Sequence, residues 1–404
     1  MRWASSSSEA QDLELALDFA CRDLDEQLAG AAPDLLLLFV SREHQARWHQ
    51  LPDRLRERWP NATTIGCSAG GVIGRGHEIE GRAGLALCGA VLPGVELTPF
   101  HFDELAANDE LGAGPLRERW LTTLGLGEGP DPHLILLPDP FSWPGPTLLA
   151  ELDRAFPTGI KIGGMASGGD RPGEHRLFCR RSVHHRGVVG LAMRGNLEID
   201  TVVAQGCRAV GQPMFVTRRN RNVIVELDGR PAIEALQALF DGLDADDRAR
   251  ARHSLFIGLI VGRGGGTLEL RGHGDFLIRN LVGVDPLGGS LAIAAAIEDN
   301  AVVQFHLRDA ETSAAELREL LDEHTRAHAD EEPAQAALLF SCLGRGIGLY
   351  GRPDHDSTLI REQLARELPI AGFFCNGEIG PIAGRTFVHG YTSVIALIRP
   401  ARMI

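Results

Sequence analysis

Short apolar runs recur four times along the chain, and each follows a segment with helical periodicity. The runs are LLLLFV (35–40), LILLP (134–138), LFIGLIV (255–261) and ALLFSC (337–342). Because they are short and apolar on both faces, they predict buried strands. Before the first run, Leu13, Leu17 and Leu24 fall on one helical face. The pattern therefore predicts an alternation of helices and buried strands.

The segments that follow these runs also repeat. In three cases a second helical segment ends in proline: LPDRLRERWP, LLAELDRAFP and DSTLIREQLARELP. A strand and a small-residue turn come next, in TIGCSAGG, KIGGMASGG and IAGFFCNGE, and then a further strand. After the third run, IRNLVGVDPLGG takes this place without a clear helix before it. We interpret the chain as four related units that begin near residues 10, 112, 230 and 312.

Four such units predict an α/β fold of two similar halves, each with two related α/β units, mixed sheets and flanking helices. The halves are expected at residues 1–220 and 221–404, the first with a short disordered start. Equivalent strands are expected to end near Cys67, Gly164, Asp285 and Cys375. A ligand pocket is expected between the halves, because strand-end loops diverge at the carboxyl edge of open α/β sheets.

Charge and cysteine usage exclude several classes of protein. The formal net charge of −14 disfavours nucleic-acid binding, which needs excess Lys and Arg, and also adsorption to anionic membranes. No apolar run is long enough to span a bilayer, and the N-terminus lacks the apolar core of a signal peptide. The seven cysteines are scattered and form no CxxC pair. These features predict a cytoplasmic protein with reduced thiols.

Two local motifs invite comparison with cofactor and metal sites. GIGLYG (346–351) matches the GxGxxG pattern, but Pro353 and a DHD segment separate it from the next helix. Its glycines therefore do not open a helix that would hold a pyrophosphate. His324 and His328 have i,i+4 spacing in a highly charged segment, which favours a solvated helix face over a metal site. The sequence predicts no cofactor and no bound metal.

The segment AGFFCNGEIGPIAG (371–384) gathers a thiol, an amide and a carboxylate at a predicted turn. Cys375, Asn376 and Glu378 follow one another closely at a strand end. A nucleophilic thiol needs a lowered pKa and a base, and the nearest later histidine is His389. The alternative is a packed or ligand-lining thiol beside glycine-rich turns, whose backbone N–H groups can bind an anion. Both interpretations stay open at this point.

Longer segments of the chain resemble the FIST domain family. Those of the C-terminal half are GDFLIRNLVGVDPLGGSLAIA, VVQFHLRDAETSAAEL, ALLFSCLGRGIGLYG and PIAGFFCNGEIGPIAG. IGCSAGGVI, IGGMASGG and GCRAVGQPMFVT resemble its N-terminal part, so the resemblance extends from about residue 30 to 400. It implies FIST N-terminal and C-terminal domains in the two halves. It further implies a sensory protein that binds a small polar ligand, with amino acids as the suggested class, and a signalling protein as partner.

The resemblance and the chemistry of the side chains together imply a set of ligand-binding residues. Arginines suit a ligand carboxylate, acidic side chains suit an ammonium group, and an amide can donate and accept hydrogen bonds. The expected residues are Cys67, Ser68, Arg279, Asp285, Arg308, Asp309, Arg345, Cys375, Asn376 and Glu378. Internal salt bridges are the alternative for the charged members. Binding is favoured over catalysis, while a thiol-dependent enzyme using Cys375 and a protein-interaction scaffold remain the alternative functions.

Overall fold

Helices and strands alternate along the chain in a computed structural model that describes residues 1–103, 115–261, 276–298, 300–364 and 366–401. The helices are α1 (Leu13–Gln27), α2 (Leu51–Arg58), α3 (Leu116–Leu124), α4 (Pro146–Ala155), α5 (Ala232–Gly242), α6 (Ala245–Ser254), α7 (Ala310–Ala327), α8 (Ile347–Tyr350) and α9 (His355–Gln363), with a 3-10 helix at Arg42–Gln50. The strands are β1 (Arg2–Ser8), β2 (Leu35–Ser41), β3 (Thr63–Ala69), β4 (Gly71–Gly74), β5 (His77–Glu80), β6 (Leu85–Val91), β7 (Val95–Phe102), β8 (His133–Pro138), β9 (Lys161–Gly164), β10 (Leu177–Cys179), β11 (Ser182–His184), β12 (Val188–Gly195), β13 (Glu198–Ala204), β14 (Cys207–Asn220), β15 (Val223–Leu227), β16 (Arg230–Pro231), β17 (Leu255–Ile260), β18 (Phe276–Asp285), β19 (Ser290–Ile293), β20 (Val302–Arg308), β21 (Ala336–Cys342), β22 (Ile370–Cys375), β23 (Glu378–Ile382), β24 (Arg385–His389) and β25 (Ser393–Arg399).

The described residues form two compact units. The first unit comprises the described parts of Met1–Val203, Leu320–Val388 and Thr392–Ile404, and the second those of Ala204–Glu319 and His389–Tyr391. Most of the second unit is therefore inserted into the sequence of the first. Within the described ranges, none of the helices combines the length and the apolar character that crossing a bilayer requires.

The first unit contains three six-stranded sheets with one common strand order. The orders are β1-β6-β2-β3-β10-β11, β7-β12-β8-β9-β23-β24 and β13-β25-β21-β22-β4-β5. In each sheet the third and fourth strands are parallel, and α2, α4 or α9 lies between them in sequence. Parallel neighbours need such a crossover, which explains why a helical segment recurs after the apolar runs. The predicted α/β fold with mixed sheets and flanking helices is confirmed.

In each of the three six-stranded sheets, the last two strands come from a different repeat than the parallel strands do. Hairpin β4–β5 follows β3 in sequence but pairs with β22, and hairpin β10–β11 follows β9 but pairs with β3. Strands β23 and β24 follow β22 but extend the sheet of β9. The three repeats thus exchange strand pairs in a cycle. This exchange pairs strand edges that would otherwise be open and draws the turns before the exchanged strands together.

Alternate residues of the central strands pack on opposite sides of their sheet. In β2, Leu37 and Phe39 belong to a core shared by the three sheets, whereas Leu36 and Leu38 pack with apolar residues of α1 and α2. Phe39 stacks on Phe373 of β22, with ring centroids 4.9 Å apart. Because strand side chains alternate with a period of two, a run apolar at every position fits a strand buried on both faces. The interpretation of LLLLFV as a buried strand is confirmed.

The third predicted repeat differs from the other three. β17 and β18 stand where the other repeats have parallel strands, but they pair antiparallel, with Ile257 opposite Arg279. They belong to the sheet of the second unit, whose order is β14-β20-β17-β18-β19-β15-β16. Antiparallel neighbours need no helical crossover, which agrees with the altered sequence pattern of this repeat. The strand that ends at Asp285 is therefore not equivalent in its pairing to the strands that end near Cys67 and Cys375.

The start of the chain is ordered, contrary to the expected short disordered segment. β1 pairs antiparallel with β6 along its whole length, from Arg2 opposite Val91 to Ser8 opposite Leu85. Ser5 is buried, and its Oγ donates a hydrogen bond to Ile370 O at 2.7 Å. A serine-rich segment is ordered here because the sheet satisfies its backbone and its buried hydroxyl finds an acceptor.

Candidate functional site

Three strand-end turns hydrogen-bond to one another in the first unit. They follow β3, β9 and β22, the second parallel strand of each sheet. Ser167 N donates to Ser68 O (3.2 Å), and Asn376 N donates to Met165 O (3.1 Å). Met165 N donates in turn to Gly377 O (2.9 Å). The small-residue turns found in the sequence are thus brought together from distant parts of the chain.

Ser68, in the last part of β3, and Asn376, in the turn after β22, are two of the predicted ligand residues and have different environments. Ser68 is fully buried, and its Oγ accepts a hydrogen bond from Arg176 N at 2.9 Å. Asn376 is exposed, with its Nδ2 3.4 Å from Ala166 O. Ser68 therefore holds the turn structure, whereas the amide of Asn376 can be reached from solvent.

Cys67 and Cys375 are completely buried. Burial raises the pKa of both thiols well above the usual value, and the charge of Glu378 raises that of Cys375 further. Cys375 Sγ donates to Phe373 O at 3.4 Å. A Cβ at Gly164 would lie 2.2 Å from this sulfur, so the glycine leaves room for the thiol. The environment favours a neutral packed thiol over the thiolate that nucleophilic catalysis needs.

Glu378 begins β23 and is completely buried. The pairing of β23 with β9 places it opposite Gly164. Its Oε2 accepts a hydrogen bond from Thr392 N at 3.1 Å. Buried carboxylates need such donors because transfer from water leaves their charge unsolvated. Glu378 therefore lies directly after the turn that follows β22, beneath the protein surface.

Arg345 is also fully buried and forms an ion pair with Asp356 of α9. Its Nε lies 2.8 Å from Asp356 Oδ2. Its Nη2 lies 3.2 Å from Asp356 Oδ1 and 2.6 Å from the hydroxyl oxygen of Tyr350. His355 Nδ1 (2.9 Å) and Ser393 Oγ donate further hydrogen bonds to Asp356. Burial alone would raise the pKa of Asp356. The charge of Arg345 and the hydrogen bonds outweigh this effect and hold that pKa well below its usual value.

Two further carboxylates adjoin this ion pair. Glu78 of β5 is buried, and its Oε1 accepts a hydrogen bond from Ser357 N at 2.8 Å, while its Oε2 has no hydrogen-bond partner among the described residues. Burial and the charge of Asp356 raise the pKa of Glu78 to about 8. Glu80 accepts a hydrogen bond from Ile347 N, at the start of α8, and burial raises the pKa of Glu80 as well. The exchanged hairpin β4–β5 thus carries two carboxylates to the start of α9.

Sequence reasoning missed Glu78, His355 and Asp356. The DHD segment was the one local signal, because acidic side chains at a helix start commonly accept hydrogen bonds or pair with cations. Nothing in the sequence connects this segment with β5, since Ser357 and Glu78 are 279 positions apart. Only the pairing of β4 with β22 brings them together.

Asp285 and Asp309, two predicted residues in the second unit, hold local backbone structure. Asp285 Oδ1 accepts hydrogen bonds from Leu287 N (3.1 Å) and Gly288 N (2.9 Å). Asp309 Oδ1 accepts one from Thr312 N (2.8 Å) at the start of α7. These are the contacts of an Asx turn and of a helix N-cap. Ligand binding by either residue stays a prediction.

Arg279 and Arg308 lie on β18 and β20, the two neighbours of β17 in the sheet of the second unit. Arg279 donates to Ile278 O at 2.8 Å, and burial lowers its pKa to about 10. The guanidinium of Arg308 lies 4.8 Å from the ring centroid of Tyr391, a cation–π contact. Four residues of the predicted set, Asp285, Asp309, Arg279 and Arg308, therefore lie in the second unit. The other six lie in the first unit: Cys67, Ser68, Arg345, Cys375, Asn376 and Glu378.

A surface groove of about 280 Å³ lies between α1 and α2. It is lined by Leu17, Asp18, Cys21, Arg54, Glu57 and Arg58. Its arginines already form ion pairs, with Glu14 and Glu57 for Arg54 and with Asp25 for Arg58. The groove shares no residue with the strand-end turns, and its paired charges leave little to attract a polar ligand.

Comparison with known proteins matches both halves of the chain. Residues 34–230 match the FIST N domain, and residues 232–381 match the FIST C domain. An uncharacterized protein of Mycobacterium tuberculosis is 37% identical over 398 residues, which cover 98% of this chain and 99% of that protein. An uncharacterized protein of Mycobacterium bovis is 37% identical over 372 residues, 92% of each chain. The two domain matches confirm the resemblance found in the sequence.

Proposed function

Since this chain belongs to the FIST family, whose domains are sensory and bind small ligands, we propose that it senses an amino acid or a similar small polar metabolite in the cytoplasm. A signalling protein is the proposed partner that responds to the bound state. The proposed site lies at the strand-end turns of the first unit. It uses Arg345, Asn376 and Glu378 from the predicted set and adds Glu78.

The environment of Glu78 is the observation that supports this proposal best. Its Oε2 is buried without a hydrogen-bond partner among the described residues, and Asp356 adds negative charge beside it. Leaving a buried acceptor unsatisfied costs about 1–3 kcal/mol, and more for a charged group. The raised pKa of Glu78 means that this carboxyl group is protonated at neutral pH when no ligand is bound. A ligand ammonium group would favour the ionised carboxylate and donate a hydrogen bond to this oxygen. The site therefore suits a ligand with a primary amino group.

Side chains of the neighbouring loop and turn offer contacts for the rest of the ligand. Asn376 is exposed. The hydroxyl oxygen of Tyr350 accepts a hydrogen bond from the guanidinium of Arg345, which is paired with Asp356. Leu343, in the loop after β21, is 40% exposed, and Ile347, at the start of α8, is 44% exposed. A few fixed polar groups beside apolar side chains are typical of small-molecule sites. In our proposal the loop moves aside to admit the ligand to Glu78.

A thermal-shift screen of the full chain against the common amino acids tests the ligand class. A ligand that binds only the native state raises the unfolding temperature. Amino acids are expected to do so, whereas the matching 2-hydroxy acids, which lack the ammonium group, are not. If hydroxy acids stabilised the protein as well as amino acids, the proposed role of an ammonium group would be wrong.

Calorimetric titration of the amino acid that gives the largest shift tests the site. Glu78→Gln keeps the acceptor for Ser357 N but cannot form the carboxylate that a bound ammonium group would stabilise. We expect about 30-fold weaker binding or more, because losing one partner of a buried charged contact costs about 2–5 kcal/mol. Glu26→Gln, on the exposed side of α1, is the matched control and should bind as wild type does. Equal affinity of Glu78→Gln and wild type would rule out this site.

Glu378→Gln tests the predicted turn separately. The substitution keeps an acceptor for Thr392 N and removes a buried charge next to Asn376. We expect it to weaken binding of the same amino acid, while Cys375→Ser has a modest effect because the thiol only packs beneath the turn. If Cys375→Ser instead eliminated a turnover reaction, a thiol-dependent enzyme would replace the sensor.

A further inference from the structure

His324 of α7, His328 just after the end of α7 and Asp200 of β13 form a separate cluster in the first unit. His324 and His328 are one helical turn apart, and their rings stack with centroids 4.2 Å apart. His324 Nε2 lies 3.5 Å from Asp200 Oδ2, and His328 Nε2 lies 3.6 Å from Asp200 Oδ1. The side chain of His324 is only 12% exposed, so this is not the solvated face that the sequence predicted. The cluster shares no residue with the strand-end turns.

The backbone fixes the orientation of the His328 ring. Its Nδ1 lies 2.9 Å from the carbonyl oxygen of His324, which can only accept a hydrogen bond, so Nδ1 carries the proton. In the neutral ring the lone pair is then on Nε2, the nitrogen that faces Asp200. An imidazole that donates one N–H to a carbonyl and directs its other nitrogen at a shared point is the usual arrangement of a metal ligand.

His324 supplies a second, independent indication. Neither of its ring nitrogens has a hydrogen-bond partner among the described residues, although both are buried. The contact from Nε2 to Asp200 is too long for a well-formed hydrogen bond. Buried imidazole nitrogens are normally hydrogen-bonded, so a bound group at Nε2 would remove an unfavourable feature.

Asp200 is held and oriented by Arg399. The Nε of Arg399 lies 3.0 Å from Asp200 Oδ2, and the same guanidinium pairs with Glu198 and Glu331. One guanidinium thus faces three carboxylates, those of Glu198, Asp200 and Glu331. These four side chains together carry a net negative charge, which favours a cation nearby. A carboxylate oxygen has a further lone pair after this hydrogen bond, and ligating carboxylates are commonly held by an outer hydrogen bond of this kind.

We propose that Asp200, His324 and His328 bind a divalent transition-metal ion of the zinc class. The three potential ligand atoms lie within 4.8 Å of one another. Bonds of about 2.0–2.2 Å at tetrahedral angles place ligand atoms roughly 3.4 Å apart, close to the nitrogen–oxygen separations in this cluster. Two imidazoles and one carboxylate suit zinc and its neighbours rather than magnesium or calcium, which prefer oxygen ligands. Water would complete the coordination.

Titration of the metal-free full chain tests this proposal. The protein is treated with a chelator, dialysed and titrated with ZnCl₂ in a calorimeter, with MgCl₂ as comparison. We expect stoichiometric binding of Zn²⁺ and none of Mg²⁺. In a parallel sample loaded with Co²⁺, the visible spectrum should show nitrogen and oxygen coordination without the thiolate charge-transfer band that cysteine ligands give. A thiolate band, or no stoichiometric Zn²⁺ binding, would overturn the proposal.

Substitutions locate the ion. His324→Ala, His328→Ala and Asp200→Asn should each weaken Zn²⁺ binding at least as much as loss of an outer-shell partner does, about 10- to 100-fold. His49→Ala removes an exposed histidine elsewhere and should bind Zn²⁺ as wild type does. Equal affinity of His324→Ala, His328→Ala and His49→Ala for Zn²⁺ would contradict the assignment.

A chemical footprint gives the same information without any substitution, in case a variant fails to fold. Diethyl pyrocarbonate modifies free imidazole nitrogens, and the modified histidines are identified by mass spectrometry. Zn²⁺ should protect His324 and His328 and leave the modification of His49 unchanged. If Zn²⁺ protected neither His324 nor His328, the site would be ruled out.

Discussion

The guanidinium of Arg345 and the carboxylate of Asp356 form a completely buried, two-pronged ion pair. Arg345 Nε lies 2.8 Å from Asp356 Oδ2, and Arg345 Nη2 lies 3.2 Å from Asp356 Oδ1. Both side chains are at most 2% exposed. The pair joins the loop after β21 to the first turn of α9. This relationship holds the segment at Arg345 against the start of α9, next to the residues of the proposed ligand site.

Asp356→Asn should destabilise the protein by about 3–5 kcal/mol, because it leaves the charge of Arg345 buried without its counter-ion. The matched control is Asp170→Asn, which breaks the exposed pair of Arg42 and Asp170 (3.2 Å) and should cost at most about 1 kcal/mol. Urea denaturation of both variants measures the two free energies of unfolding. Similar values for the two variants would show that the buried pair contributes no more than a surface pair.

Glu78 should make the protein less stable as the pH rises from about 4.5 to about 8. Burial raises the pKa of Glu78 from 4.5 to about 8, so in this window the native carboxyl keeps a proton that the unfolded chain releases. The free energy of unfolding therefore falls with increasing pH. In Glu78→Gln this contribution is absent, and the pH profile of stability should be flatter than that of wild type. Glu26→Gln should reproduce the wild-type profile, and a Glu78→Gln profile identical to wild type would refute the raised pKa.

Asp356 should act in the opposite direction at lower pH. Its pKa is held below the usual value, so its stabilising contribution is present above the unfolded pKa of about 3.9 and is lost as the pH falls further. Acid titration of Asp356→Asn, followed by circular dichroism, should therefore show a smaller loss of stability below pH of about 4 than wild type shows. An equal acid-induced loss in both proteins would assign that loss to other carboxyl groups.

Gly66, Gly163 and Gly372 should each resist substitution by alanine. A Cβ at these positions would lie 2.0, 1.9 and 1.8 Å from a carbonyl oxygen of the neighbouring parallel strand. Relieving such a clash requires movement of the backbone, and overpacking of this kind costs about 1–3 kcal/mol or more. Gly127→Ala is the control, since no atom lies within 4 Å of its added Cβ, and it should change stability by less than about 0.5 kcal/mol. Thermal denaturation of all four variants gives the comparison; a Gly66→Ala variant as stable as Gly127→Ala would contradict the strand register.

Cys342 should be the first thiol to react in the native protein. Cys342 is partly exposed, whereas the other six cysteines are buried. Burial also raises the pKa of Cys67 and Cys375, which lowers the fraction of reactive thiolate. Labelling with an aromatic disulfide reagent should show a fast phase that Cys342→Ser removes and Cys375→Ser leaves unchanged. Loss of the fast phase in Cys375→Ser would mean that its thiol is accessible and activated.

The local elements of three repeats could be predicted from the sequence. The runs LLLLFV, LILLP and ALLFSC correspond to β2, β8 and β21, and the helical segments after them correspond to α2, α4 and α9. Hydrophobic periodicity and turn residues act between near neighbours in the chain, so they can be identified without knowledge of the fold. The same reasoning identified the turn at Cys375, Asn376 and Glu378, which the structure places beside the turns of the other two repeats.

The composition of the candidate site could be predicted only in part. Arg345 was identified from its side chain, but its carboxylate partner Asp356 and the neighbouring Glu78 were not. An ion pair depends on spatial distance, and many acidic residues of the sequence are equally suitable partners for one arginine. Likewise, the spacing of His324 and His328 predicted one helix face but not the burial of that face or its approach to Asp200.

The sequence by itself thus determined the repeated order of helices and strands and the residues at their turns. Only the tertiary structure decided that the hairpin after β3 pairs with β22 and that the third repeat forms antiparallel strands in a separate unit. Backbone hydrogen bonds between strands are the same for almost any residue, so a strand edge does not specify its partner. The choice depends on which arrangement buries the most apolar surface, and in the first unit the core that joins Phe39 to Phe373 exists only when the three sheets are assembled together.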